Sequence, residues 1–321
     1  MKNQEFIFLV EAASKAPSGH NTQPWKFENV ADGVILHPDF FRALPVVDED
    51  NHALYISLGC ALENIVVAAS NLGYECEIEY PEDTSGAISV KLISNAATGN
   101  DDLFDYISTR QSNRSKYSDK MVDEADTEFL KSSFDFPSVH LYLFNGREKF
   151  EPIIPYIIEG NNLQFSNRKF VDELTSWFRY SKRKAELTKD GLWTASMGLP
   201  SMGKIIGNFV MKNFVTAESE AKRISDILQH TAGIAIFVAE ENNIRSWINV
   251  GRAFQRFGLY ACKLGISIAH LNMPCEEISV RSKLAASLHV PDYHPLLLIR
   301  YGYAAPKPYS YRREIKDLVI N

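Results

Sequence analysis

The strongest constraint on this fold is that the chain matches itself. Residues 58–74 and 250–266 align without a gap at one offset, 192 residues, the separation of Gly59 from Gly251. Gly59/Gly251, Ala61/Ala253, Ala69/Ala261, Leu72/Leu264 and Gly73/Gly265 are identical, and Leu62/Phe254, Ile65/Phe257 and Val67/Leu259 stay apolar. Both segments read as helices, with small residues where a second element can approach and a glycine suited to the position just past a helix C-terminus. The surroundings match as well. Apolar runs at 33–36 and 233–238 predict a buried strand before each helix, and 88–93 and 295–302 predict one after it. Two helices resemble one another by chance more easily than two helices with the same strand context. We therefore expect a duplicated unit, roughly 1–98 and 99–321, the second copy carrying an insertion from about Gly146 to Gln229.

The first part of that insertion, from Asn161 to Leu187, reads as helical, and its run from Arg179 to Lys184 as a solvated face. Residues 190–203 differ in kind. Gly191, Gly198, Gly203 and Pro200 exclude a regular helix, yet Trp193, Met197 and Met202 make the stretch too apolar for a plain solvated loop. A cover over a pocket suits both properties, as does a packed surface insertion.

Lys and Arg number 34 against 40 Asp and Glu, for a net charge of −6, which supplies no field for general nucleic-acid binding. With 45% apolar residues, the 321-residue chain can bury a sizeable core. The four cysteines stand singly, without a CxxC or zinc spacing, which fits a reducing cytoplasm. His289 and His294 are a poor metal pair, and no metal is expected. Near the start, Glu5 and Glu11 bracket an apolar run too short for a signal sequence, so a first amphipathic helix is expected. No uninterrupted apolar run approaches the roughly 18 residues of a membrane span.

Two short motifs carry candidate chemistry. In residues 16–25, Pro17 and Gly19 punctuate a turn, while Ser18, Asn21, Thr22 and Gln23 offer donors and acceptors to a polar heterocycle beside Trp25. An ordinary helix–loop–strand connection would look similar. Further on, Arg110, Gln111, Ser112, Asn113 and Arg114 set two guanidiniums four residues apart around a hydroxyl and an amide. That set suits a phosphate monoester, although a surface ion-pair cluster has the same composition. A second basic pair, Arg312 and Arg313, lies near the end of the chain. There is no glycine-rich phosphate loop and no nucleophile elbow.

Taken together, these segments resemble the FMN-dependent nitroreductases, and most of all their duplicated, Acg-type branch. The 17–25 loop resembles the stretch that touches the flavin ring and ribityl chain. Arg110–Arg114 resembles the motif that grips the FMN phosphate, with Arg312 or Arg313 as the closing cation. Asn272, Met273 and Pro274 fall where that family runs its chain along the flavin. The likeness runs nearly end to end and includes 42–48, 56–64, 271–274 and 312–314. It implies an α+β, nitroreductase-like fold: a mixed, mainly antiparallel sheet flanked by helices, duplicated within one chain as a pseudo-dimer. The first unit has the 17–25 loop but begins too late for an Arg motif; the second has the Arg motif, but 134–140 lacks a counterpart of that loop. One FMN per chain is then expected, in one complete site.

The resemblance also implies hydride transfer from NAD(P)H through FMN to a nitroaromatic, quinone or activated alkene, with no catalytic side chain. The alternative is a flavin-sequestering protein whose lid blocks nicotinamide. Trp25, Trp193, Met197 and Met202 are expected to shape the pocket. Cys275 is expected to be a buried thiol rather than a redox residue. The chain is expected to act on a small-molecule acceptor, as a monomeric pseudo-dimer or a homodimer, without nucleic acid or membrane.

Overall fold

The computed structural model describes all residues except 84–85, 96–100, 133 and 321. Helix α1 (Asn3–Ser14) leads into the 17–25 loop, and β1 (Trp25–Val30) and β2 (Gly33–Pro38) form a tight hairpin. Then come α2 (His52–Asn71), β3 (Tyr74–Glu79) and β4 (Ile88–Ser94). Short α3 (Phe104–Ile107), α4 (Glu124–Ser132) and β5 (Val139–Asn145) precede the insertion. The insertion holds α5 (Arg147–Phe150), α6 (Ile154–Ser166), α7 (Arg168–Trp177), β6 (Phe178–Arg179), α8 (Lys182–Thr188), β7 (Leu192–Trp193), α9 (Lys204–Asn213) and α10 (Ala217–Gln229). The chain closes with β8 (Gly233–Ala239), α11 (Ile244–Lys263), β9 (Ser267–His270), α12 (Met273–Glu276), α13 (Ile278–Ser287), β10 (His294–Gly302), α14 (Ile315–Leu318) and β11 (Val319–Ile320).

Two main sheets result. The first runs β11-β1-β2-β4-β3 and the second β5-β8-β10-β9. Leaving out β11, which joins β1 in parallel, both sheets have the same connectivity. Each places its strands in the chain order first, second, fourth, third, with every neighbour antiparallel and a long helix between the second and third strands. All four strands expected around the repeated helices form: β2, β4, β8 and β10.

The two repeated helices cross at the centre of the molecule. A Cβ on Gly59 would lie 2.1 Å from the carbonyl oxygen of Ile248, and one on Gly251 would lie 2.0 Å from that of Ile56. Glycine is required at both points because backbone meets backbone. The contact is reciprocal at the repeat offset, since Ile56 and Ile248 are separated by the same 192 residues. Polar groups cross the same junction. Glu63, fully buried, accepts from Arg252 Nε at 2.9 Å and Arg256 Nε at 2.5 Å, and Gln255 Nε2 donates to Asn64 Oδ1 at 2.6 Å. Helix α2 is long and apolar enough to cross a membrane, but 83% of the relevant window is buried against protein, as a core helix requires.

Strand β8 is buried at every position, as its continuous apolar run implies. Its Ala235 and Phe237 face the central helices, while Ile234, Ile236 and Val238 pack against Ile153, Ile157, Ile224 and Leu228 of the insertion. The insertion is less uniform than expected. It breaks at Asn167, whose side chain accepts from Lys169 N, and again at 178–181, where Ser181 caps α8. The 179–184 run is only partly a solvated face. Arg179 and Tyr180 are buried, because Asp190 draws in the Arg179 guanidinium at 2.8 Å. The 98/99 unit boundary lies outside the described residues.

Candidate functional site

Helix α1 ends at the carbonyl of Lys15, and the chain then enters a loop that no regular element could accommodate. His20, Asn21 and Gln23 all have positive φ (47°, 56° and 54°), an uncommon backbone state for residues other than glycine. The loop is held by contacts from far along the chain. Ser18 Oγ accepts from Gln23 N at 2.9 Å, and Asn21 Nδ2 donates to the carbonyls of Gly191 and Tyr311. Gln23 Nε2 donates to Lys189 O, and its Oε1 accepts from Arg313 N at 2.8 Å. The strain is thus paid by the insertion and the C-terminal tail, both of which grip this loop.

A polar pocket of about 330 Å³ opens beside it. Arg110 and Arg312 reach it from opposite ends of the second half of the chain. Both donate to the same carbonyl, Lys15 O, at 3.3 Å, and Arg312 also donates to Asn21 Oδ1. Arg110 Nε and Nη1 are buried without a hydrogen-bond partner among the described residues. Burial lowers both guanidiniums, and for Arg312 the charge of Arg110 adds to it. Ser112 and Arg114 also line the pocket, while no acidic residue does. Gln111 lines it too, although its side chain is engaged with the Lys307 backbone. A buried guanidinium with two unused donors, a second guanidinium beside it and no lining carboxylate give this pocket a chemistry that suits an anion.

Through Pro17, Ser18, Arg114, Leu192 and His270, the polar pocket adjoins an apolar cavity of about 470 Å³. The insertion supplies most of its wall: Phe165, Phe170, Leu174, Phe178, Met197, Met202 and Met211. Gly19, His20, Asn272 and Met273 line the opposite part. Two half-buried histidines line the apolar cavity, and His270 lines the polar pocket as well. Burial, followed by the charge of Arg114, lowers His20 to about 4 and His270 to about 3, so both are neutral at pH 7.

The expected site residues therefore divide. Ser18, Gly19, Asn21, Arg110, Gln111, Ser112, Arg114, Asn272, Met273, Met197, Met202 and Arg312 line one cavity or both. Trp25 does not; it is fully buried in the central core because its strand turns it beneath the first sheet. Trp193 packs on Tyr311 at 5.3 Å, outside both linings. Gln23 and Arg313 brace each other: Arg313 donates to Gln23 O, lies 3.3 Å from Asp39 Oδ2 and is spent on structure. Pro274 is buried where Gly160 of α6 approaches it, so it fixes α12 instead of facing the cavity. Cys275 is fully buried and its thiol pushed up, as expected of an inert packing residue.

His20, His270, Arg223 and Arg300 line the apolar cavity and were not anticipated. His20 lies within the 16–25 loop. The others lie on an ordinary strand end, an insertion helix and a strand interior, with no local signal.

No family model matches the chain. In sequence, it is 23% identical over 321 residues to "Putative NAD(P)H nitroreductase Rv3131" of Mycobacterium tuberculosis H37Rv, covering 97% of this chain and 90% of that one. The corresponding protein of strain CDC 1551 matches equally. A solved structure described as a putative nitroreductase from Anabaena variabilis superposes with a TM-score of 0.56 at 10% identity, covering 94% of this chain and 88% of the other. The chain thus has a nitroreductase-like α+β fold and is similar in sequence to proteins named as nitroreductases.

Proposed function

We propose that this chain is an FMN-binding oxidoreductase of nitroreductase type, passing electrons from NADH or NADPH to a nitroaromatic, quinone or activated alkene. The observation that carries the reading is the pair of unpartnered donors on buried Arg110, in a carboxylate-free pocket that adjoins an apolar cavity. A phosphate on a polar chain, continued by a flat and largely apolar ring, fits that sequence of surroundings. Arg110, Ser112 and Arg312 would hold the phosphate, Ser18 and Asn21 the chain beside it, and Gly19, Arg114 and Met273 would border the ring. FMN, when bound, supplies hydride acceptance and electron transfer. The protein's own part is orientation and exclusion of water: neutral His20 and His270 add no charge to the cavity they line, and the insertion covers the apolar side. No side chain is assigned as general acid or base.

We further infer that units 1–98 and 99–321 form a fused pseudo-dimer with one complete site. The identical strand connectivity and the reciprocal Gly59/Gly251 crossing support it. A second functional reading has its own support. Segment 190–203 is tied to the loop through Asn21 Nδ2 and Gly191 O, and to the tail through Ser196 and Ser310, while Met197, Leu199 and Met202 line the cavity. A lid held in this way favours flavin retention with little turnover.

The proposal is tested by adding FMN or riboflavin to flavin-free protein and following fluorescence quenching. Two charge-assisted contacts to phosphate predict that FMN binds about a hundredfold or more tighter. Equal affinities would remove the phosphate assignment.

A further inference from the structure

Arg300 lies in the middle of β10, opposite Ile234 and Ala269, and is only 1% exposed. Its guanidinium stacks on the Tyr117 ring at 3.8 Å, and Nη2 donates to Ser115 O at 2.6 Å. Nε and Nη1 are buried with no hydrogen-bond partner among the described residues. The side chain lines the apolar cavity, not the polar pocket. Two further guanidiniums line the same cavity. Arg223 of α10 is paired with Glu220 at 2.7 Å, and Arg114 makes no hydrogen bond with a described residue. Burial pushes both Arg114 and Arg300 down, and the charge of Arg223 adds to this while Tyr117 opposes it. Glu276 also lines the cavity, but Gln164 and Asn272 donate to its two oxygens. Three guanidiniums therefore line the cavity with two carboxylates, Glu220 bonded to Arg223 and Glu276 to amides, and neither is bonded to Arg300, in a cavity whose apolar wall includes Phe165, Phe170, Leu174 and Met211. A buried guanidinium with unused donors is costly unless an anion completes it.

We propose that this cavity binds a carboxylate on an apolar body, the carboxylate on Arg300 and Arg223 and the body against the insertion's aromatic and methionine side chains. This deepens the functional reading above, since it names the class of molecule the same site admits beside its cofactor. The phosphate group of the cofactor does not account for the arrangement, because Arg300 is absent from the polar pocket's lining.

The test is isothermal titration calorimetry on the protein as purified, with 4-phenylbutyrate and its uncharged amide as probes. The acid is expected to bind about tenfold or more tighter than the amide. Arg300→Met should abolish that preference while leaving flavin content unchanged. Should Arg300→Met not fold, Arg223→Gln on the half-exposed face of α10 should reduce the preference several-fold. Equal binding of acid and amide by the wild type overturns the proposal, as does a preference that survives in the folded variants. Loss of flavin from Arg300→Met would make Arg300 a cofactor contact and also overturn it. Flavin content is measured separately, so a protein without flavin would sink the oxidoreductase reading while the acid-to-amide ratio still decides this one.

Discussion

Replacing Gly59 by alanine tests the helix crossing on which both halves of the molecule depend. The new methyl would sit 2.1 Å from the Ile248 carbonyl oxygen and 3.0 Å from the Gly251 Cα. An ordinary carbon–oxygen contact is about 3.3 Å, so α2 and α11 must separate by roughly 1.2 Å. Neither neighbour is a side chain that can swing away. Overpacking of this kind costs about 3 kcal/mol, and the better helix propensity of alanine returns about 1, leaving a net loss of about 2 kcal/mol. Urea denaturation followed by tryptophan fluorescence should show a lower midpoint with an unchanged slope. Gly251→Ala should lose a similar amount, because its Cβ would meet Ile56 O at 2.0 Å. The double variant should fall short of the sum, since a single separation relieves both clashes. A Gly59→Ala midpoint at or above wild type would refute the reasoning.

Three other outcomes are expected. Arg110→Ala should weaken FMN binding by about tenfold or more without lowering the stability of the flavin-free protein, because it removes a phosphate contact together with a buried, incompletely paired charge; equilibrium dialysis and a urea midpoint check the two parts. Glu63→Gln should destabilise by about 3 kcal/mol or more, since it leaves Arg252 and Arg256 facing a neutral amide at the buried junction, and an unchanged midpoint would show the pair to be dispensable. His52 gives a pH dependence. Burial and the Arg281 guanidinium, 3.3 Å from His52 Nε2, lower its pKa, but hydrogen bonds to Asp48 and Asp50 outweigh them and raise it from 6.5 to about 9. A group raised on folding stabilises fully below its unfolded value, and that contribution is lost as pH rises through about 9. His52→Gln should therefore flatten the decline in stability between pH 6.5 and 9, as midpoints across that range would show.

What the sequence revealed and what it hid follow one physical line. The two matching helices, their flanking strands and the 190–203 stretch between helices were legible because each rests on local periodicity, propensity or punctuation. Arg110, Ser112 and Ser18 could be nominated because short motifs carry their donors, and the fold brings all three to one polar pocket. Local pattern could not separate Arg312 from Arg313. Asp39 and Gln23 turn one inward as a brace, and Asn21 and Lys15 hold the other in the pocket. Trp25 looked like a pocket wall because it follows the loop, yet strand alternation sends it into the core. Arg179 read as surface because Asp190, its partner, becomes adjacent only after the insertion folds. Arg300 carried no signal at all: a charged residue inside an apolar strand declares itself only once the cavity beside it is visible.

The most direct test of the central claim is an anaerobic titration of the purified protein with NADPH and NADH, following visible flavin absorbance. The account predicts a yellow protein that bleaches with at least one nucleotide and recovers when a quinone or nitroaromatic is added. A yellow protein that bleaches only with dithionite would contradict turnover and leave the lid-held, flavin-sequestering reading. A colourless protein that takes up no FMN would contradict the account as a whole.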